Sequence, residues 1–306
     1  MNIAVVGLGK MGAQIAMRLL GAGHTVIAID HSSEAVAEIA SSGALSAQNR
    51  ADAVGLFGSE QVIVWLMIPA AFVSDEVSAW LQVLPPESIL IDGGNTDFRA
   101  TKQHTQRCQE KNVQFIDVGV SGGILGTTNG FSMMVGGDEA SYKTVQPVLD
   151  ALAQPRGGYD YFGEAGSGHY VKMVHNAIEY GMMESLAEGY RMLKEGPYAH
   201  LDLSKAGVVW QKSSVIQSTL NELASEIVAQ DQELTKASGY VAESGEARWT
   251  TEVAKERSIE LPAIQAALDV RVRSTTGTVN YTTKLLAALR NKFGGHDINK
   301  TEHGNE

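Results

Sequence analysis

The stretch NIAVVGLGKMG, residues 2–12, decides the fold of this 306-residue chain. Ile3 to Val6 is a short apolar run of the kind that forms a strand buried on both faces. Gly7, Leu8, Gly9, Lys10, Met11 and Gly12 follow it directly and open a helical pattern. Strand, glycine turn and helix in that order make a phosphate-binding corner. Gly7 permits the tight turn, Gly9 lets backbone amides approach a pyrophosphate, and Gly12 lets helix and strand pack closely. Asp30 ends a second apolar run, Thr25 to Ile29, where a carboxylate can accept hydrogen bonds from the adenine ribose hydroxyls. It would also repel a 2′-phosphate, and His31, Ser32 and Ser33 offer no arginine to receive one. NAD is therefore the expected cofactor, with NADP the less favoured alternative.

Outward from that corner, short β-rich runs alternate with helical patterns up to about Phe162. The further runs are Val62 to Leu66, Ile89 to Ile91, Phe115 to Val118 and Met133 to Val135. Helical stretches such as Met11 to Ala22 and Ser33 to Ala40 end at Gly23 and close to Gly43. The expectation is an α/β Rossmann-type, doubly wound parallel sheet. After Gly163 the strand signals fade, and amphipathic helices are predicted at Gly168 to Lys194, Leu203 to Lys212, Thr219 to Asp231, Trp249 to Glu256 and Pro262 to Leu289. The domains are read as 1–163, dinucleotide-binding, and 164–306, all-α, substrate-binding and oligomer-forming, joined by the Gly-rich connection Gly163 to Gly168. The polar end, Gly294 to Glu306, reads as a frayed terminus.

A formal charge of -11 and a pI near 5.2 argue against broad binding to nucleic acid or anionic lipid, since both need excess Lys and Arg on one face. Cys108 is the only cysteine, so no intrachain disulfide and no thiolate metal site is expected. The chain enters a strand at once without a basic leader, and no apolar run is long enough to span a bilayer, so the expected location is the cytoplasm.

Three further motifs could carry chemistry. DGGN, Asp92 to Asn95, ends a buried strand where open parallel sheets bind ligands; alternatively Asn95 caps the next helix. VSGG, Val120 to Gly123, offers the amides of Gly122 and Gly123 beside Ser121 to a carboxylate. Met67, after a strand, lines the nicotinamide pocket or simply makes a strand-to-helix turn. The most informative segment is GSGHYVKMVHNAIEYG, Gly166 to Gly181. On a helix, Lys172, His175 or Asn176, and Glu179 fall at i, i+3 or i+4, and i+7, so one side carries a base, hydrogen-bonding groups and an acid. A solvated Lys/Glu face is the bland reading. The apolar flanks Tyr170, Val171, Val174, Ile178 and Met182 favour a buried stripe.

These four motifs, in this order, resemble the 6-phosphogluconate dehydrogenase family of the β-hydroxyacid dehydrogenase superfamily, in its short form. The resemblance implies that Lys172 is the general base and Glu179 the proton donor in an oxidative decarboxylation of 6-phosphogluconate to ribulose 5-phosphate, without a metal. It also implies that Asn95, Ser121, Gly122, Gly123, His175 and Asn176 contact the substrate. Tyr180, Arg248, Thr250, Arg271 and Arg290 would serve its phosphate end, with Arg273 a rival to Arg271. Arg290, Phe293, Gly294 and His296 are similar to a family tail that enters the active site of a neighbouring subunit, implying a homodimer or homotetramer. The alternative is a non-decarboxylating β-hydroxyacid dehydrogenase of the 3-hydroxyisobutyrate or tartronate semialdehyde type.

Overall fold

The structure, a computed structural model, describes residues 1–198 and 200–298. The expected frayed terminus lies outside the described residues from 299 onward. The first compact unit is Met1–Met173 and the second is Val174–Glu306. The division therefore falls within a helix rather than in the glycine connection before it.

In the first unit, strands β1 (Asn2–Val6), β2 (Thr25–Ile29), β3 (Leu45–Ser46), β4 (Ile63–Leu66), β5 (Ile89–Asp92), β6 (Gln114–Ser121), β7 (Ser132–Gly137) and β8 (Gly158–Tyr161) form one sheet. Its order is β3-β2-β1-β4-β5-β6-β7-β8. Helices α1 (Lys10–Gly21), α2 (Ser33–Ser41), α3 (Arg50–Leu56), α4 (Ala70–Trp80), α5 (Phe98–Gln109), α6 (Gly126–Asn129) and α7 (Glu139–Ala153) connect the strands. Alternation along β1 shows why the strands are apolar throughout. Ile3 and Val5 join one core with Ile15 and Leu19 of α1 and Val148 of α7. Ala4 and Val6 join the other with Val73 and Val77 of α4 and Cys108 of α5. Burial pushes the Cys108 thiol up to about 12, which keeps it protonated and unreactive.

The sheet departs from the expected parallel arrangement at one place, because β7 runs antiparallel to β6. Only the short loop with α6 separates these strands, too little chain for a crossover helix. Between β2 and β4 the strand order reverses about β1, and the first glycine turn lies at the carboxyl end of that switch point.

Helix α8 (Ser167–Glu195) leads into the second unit, which continues with α9 (Leu203–Trp210), α10 (Thr219–Gln230), α11 (Glu246–Glu256), α12 (Pro262–Thr275) and α13 (Tyr281–Gly294). Its core gathers Met183, Ala187 and Tyr190 of α8 with Leu203, Leu223, Ala224, Leu285, Leu286 and Leu289. The expected helix Pro262 to Leu289 is two helices. Gly277 takes a left-handed φ of 96°, and Asn280 starts α13 with a capping box to Thr283. Amphipathic periodicity on both sides of that turn masked the break.

Candidate active site

At the glycine corner, the turn after β1 is pinned on both sides: Gly7 N donates to Ile29 O at 3.0 Å, and Met67 N donates to Val6 O at 2.7 Å. A Cβ at Gly12 would overlap the Gly7 carbonyl, so the close packing of helix on strand requires glycine there. A Cβ at Gly9 would meet nothing within 4 Å, so the space in front of α1 is open. Gly9 is the N-cap of α1 and supplies no side-chain hydrogen bond to the first turn, whose amides are the donors a pyrophosphate needs. Leu8 is buried and anchors the turn, Lys10 is exposed, and Met11 packs on the core. These features fit a dinucleotide.

Asp30 is 7 % exposed and does more than the sequence suggests. Its Oδ2 accepts from Leu8 N at 2.5 Å and its Oδ1 from Ser32 N at 2.8 Å, with His31 Nδ1 2.9 Å away. The carboxylate thus ties the glycine turn to the start of α2. With about four lone-pair directions it still has acceptor capacity for a hydroxyl.

Asn95 does not cap a helix. The N-cap of α5 is Asp97, whose side chain accepts from Arg99 N, and Asn95 is exposed in the loop before it. Met67 Sδ lies 3.1 Å from Trp65 Nε1, and its Cβ approaches Gly12, beside the glycine corner. Ser121 ends β6 and is half-buried, with Gly122 and Gly123 in the turn that follows.

Asp117 of β6 anchors the start of α8. Fully buried, it accepts from Gly166 N and His169 N, both at 2.8 Å. A carboxylate there takes up helix N-terminal amides that would otherwise lack acceptors, and it favours the positive end of the dipole. One turn on, Lys172 is 6 % exposed, and its Cβ and Cγ fill the space a side chain at Gly119 would need. A buried lysine on a capped helix, pressed against a glycine of the sheet, is a fixed group and no part of a solvated face.

In the second unit, residues from separate helices converge on the α8 positions. Asn176 lies between two groups: its Oδ1 is 2.9 Å from His175 Nδ1, and its Nδ2 donates to Glu246 Oε1 at 2.8 Å. Tyr180, 4 % exposed, receives a hydrogen bond on its Oη from Ser244 N at 3.1 Å. The Arg271 guanidinium lies over the Tyr180 ring, 3.2 Å from its centroid, and donates to Met183 Sδ. Burial is the main cause that lowers Arg271 to about 10; Tyr180 opposes the shift, while the Arg290 charge adds to it. Arg290 is lowered in turn by burial, with Tyr180, Glu246, Glu179 and Tyr240 acting to hold its charge. Glu184 is 6 % exposed, and neither carboxylate oxygen has a hydrogen-bond partner among the described residues. Burial, aided by Glu188, raises it to about 7 against the pull of Arg271 and Arg273.

The structure thus gathers His175, Asn176, Glu179, Tyr180, Arg271 and Arg290 within one unit, and it separates Arg271, turned inward, from Arg273, which is exposed. Others stand apart. Arg248 is exposed and paired with Glu243 at 2.5 Å. Thr250 is buried and donates to Glu246 O at 2.8 Å. His296 is exposed, with its ring against Gly294. Glu246, Glu184 and Asp117 are absent from the expected set; the one available signal was an acid two residues before Arg248. Among the described residues, no group of His, Cys, Asp or Glu is placed to hold a metal ion, and no helix is long and apolar enough to cross a membrane.

A family model described as the NAD binding domain of 6-phosphogluconate dehydrogenase matches residues 2–166, and one for the 6-phosphogluconate dehydrogenase C-terminal domain matches residues 168–302. An NAD(+)-dependent, decarboxylating 6-phosphogluconate dehydrogenase of Haloferax volcanii is 38% identical over 303 residues, covering 97% of this chain and 98% of that protein. Among solved structures, a Plasmodium falciparum 6-phosphogluconate dehydrogenase, solved with NADP+ and with its substrate, is similar at a TM-score of 0.80 and 27% identity. The match covers 100% of this chain and 67% of that one. A Mycobacterium tuberculosis 3-hydroxyisobutyrate dehydrogenase shares the fold, with a TM-score of 0.73 and 21% identity over 93% of this chain and 98% of its own.

Proposed function

Because the chain belongs to the 6-phosphogluconate dehydrogenase family and carries an NAD-binding domain, we propose that it oxidises 6-phospho-D-gluconate with NAD and releases the carboxylate as carbon dioxide, leaving ribulose 5-phosphate. The observation that carries this reading is the pair of buried guanidiniums, Arg271 and Arg290. The Arg290 charge disfavours that of Arg271, and Arg271 has a tyrosine face and a thioether as neighbours in place of a hydrogen-bonded carboxylate. Buried like charges are costly unless an anion joins them, and a phosphate dianion matches the guanidinium fork. A non-decarboxylating β-hydroxyacid dehydrogenase acting on a small unphosphorylated acid has no use for this pair.

In the reaction, bound NAD supplies the hydride acceptor. Lys172 takes the proton of the substrate's 3-hydroxyl as C3 is oxidised to a ketone. The β-keto acid then loses carbon dioxide, because the ketone receives the electron pair of the breaking C1–C2 bond. Lys172, now protonated, stabilises the developing enolate oxygen, and Glu179 delivers a proton to the former C2, which becomes C1 of ribulose 5-phosphate. Ser121, Gly122, Gly123 and Asn95 serve the carboxylate end, His175 and Asn176 the hydroxyls, and Tyr180, Arg271 and Arg290 the phosphate. Arg248 joins them if substrate draws it from Glu243, while Thr250 secures the start of α11. In a dimer or tetramer of the kind expected for this family, a C-terminal segment would be lent to a neighbouring subunit. Arg290 also lies within electrostatic reach of Glu179 and Tyr180 in its own chain.

Incubation with NAD should yield NADH from 6-phosphogluconate and at least about 10²-fold less efficiently from unphosphorylated gluconate, the scale expected when buried polar groups lose their partner. Equal kcat/KM for the two acids would overturn the role given to the arginines.

A further inference from the structure

Glu246 is the first residue of α11, 2 % exposed, and its Oε1 accepts from Asn176 Nδ2 at 2.8 Å. Its Oε2 is buried without a hydrogen-bond partner among the described residues, and Arg290 feels its charge. A carboxylate offers acceptors only, so the NH2 end of the Asn176 amide must face Glu246 and the carbonyl end must face His175. The amide oxygen is again only an acceptor. His175 Nδ1, 2.9 Å from Asn176 Oδ1, must therefore carry the hydrogen. In the neutral ring this leaves a lone pair on Nε2. Neutral imidazole in water prefers the opposite arrangement, with hydrogen on Nε2, so the protein imposes the less common tautomer.

We propose that Glu246 is a positioning residue which, through the Asn176 amide, holds His175 in the Nδ1–H tautomer so that Nε2 can accept a hydrogen bond from a substrate hydroxyl. The tautomer follows from the hydrogen-bond chain alone; the hydroxyl rests on the function proposed above. A polyol acid, whose hydroxyls are donors, is then selected over a chain that lacks one at the same carbon. The buried position of Glu246 suits this task, since water cannot compete for the Asn176 amide. Its place at the N-terminus of α11 favours the negative charge.

The test uses the whole protein labelled with 15N-histidine at about pH 8.5, where an ordinary imidazole is neutral. His175 is assigned by the signals lost in His175→Gln. Long-range 1H–15N correlations should show His175 as Nδ1–H in the unmodified protein. In Glu246→Met, which removes the acceptor, they should show a shift towards Nε2–H. The KM for 6-phosphogluconate should rise about tenfold or more in that variant, with the KM for NAD within about twofold. Nε2–H in the unmodified protein overturns the proposal without any variant, as does an unchanged Nδ1–H pattern in Glu246→Met. The two readings separate cleanly: Nδ1–H in a protein that does not turn over 6-phosphogluconate refutes the assigned substrate and leaves the lock standing. Turnover with Nε2–H does the reverse.

Discussion

In the first unit, the glycine corner comes from six consecutive residues, Gly7 to Gly12, and backbone groups do its work. In the second unit, the cluster around Tyr180 draws on α8, α11, α12 and α13, and charged side chains do its work. A backbone site written in one stretch tolerates changes to its exposed side chains, because amides and open space bind the anion. A side-chain site assembled from distant helices has no such redundancy. Each buried charge there depends on the others.

The sharpest break in that contrast lies at Lys172, which belongs to the first unit yet is proposed to act through its buried side chain. Lys172→Met should lower kcat by about 10³-fold or more while dinucleotide binding, followed by fluorescence quenching, changes little. Turnover intact in this variant would remove the catalytic assignment.

Next come the two arginines of α12. Arg271→Met should raise the KM for 6-phosphogluconate about 10²-fold, whereas Arg273→Met, two residues away and exposed, should stay within about twofold. Equal effects would mean that burial does not choose the phosphate ligand.

Glu184 measures the cost of charge inside the second unit. Its pKa is raised from 4.5 to about 7, so the folded state binds the proton more tightly than the unfolded chain does. That stabilising contribution is complete below the unfolded value of 4.5 and is lost as the pH rises through about 7. Denaturant titrations should find the unmodified protein losing on the order of 2 kcal/mol between those limits relative to Glu184→Gln. Parallel pH profiles for the two proteins would show that Glu184 is not held protonated.

The smallest effect is expected at the glycine corner's acidic partner. We expect the unmodified protein to show a higher kcat/KM with NAD than with NADP. Asp30→Ser combined with His31→Arg should narrow that ratio by about tenfold, the scale of one charge contact with a phosphate. The Leu8 amide would lose its acceptor as well, so some loss with both cofactors should accompany the change.

What could be read from the chain follows the same contrast. The doubly wound sheet was legible because Ile3, Ala4, Val5 and Val6 bury on alternate faces and so must all be apolar. The α8 spacing was legible because a helix repeats its contacts within two turns, but the apolar flanks misled: Tyr170, Ile178 and Met182 are exposed, while Lys172 is buried and His175, Asn176 and Glu179 are half-buried. Asp97 could not be told from Asn95 as the cap of α5, since both residue types fill that role and stand two apart. Glu246 was hidden for a stronger reason: its partner Asn176 is 70 residues away, and an acid at the start of a helix already has an ordinary explanation in the dipole. The antiparallel β7 carried no mark within its own strand, because an apolar pattern does not encode the direction of its neighbour; the short connection after β6 was the only local signal.

In the proposed reaction, carbon loss follows oxidation. With 6-phosphogluconate labelled with 13C at C1, the amounts of NADH and labelled carbon dioxide should rise together in a one-to-one ratio. NADH formed while the label stays in a phosphorylated acid would contradict it.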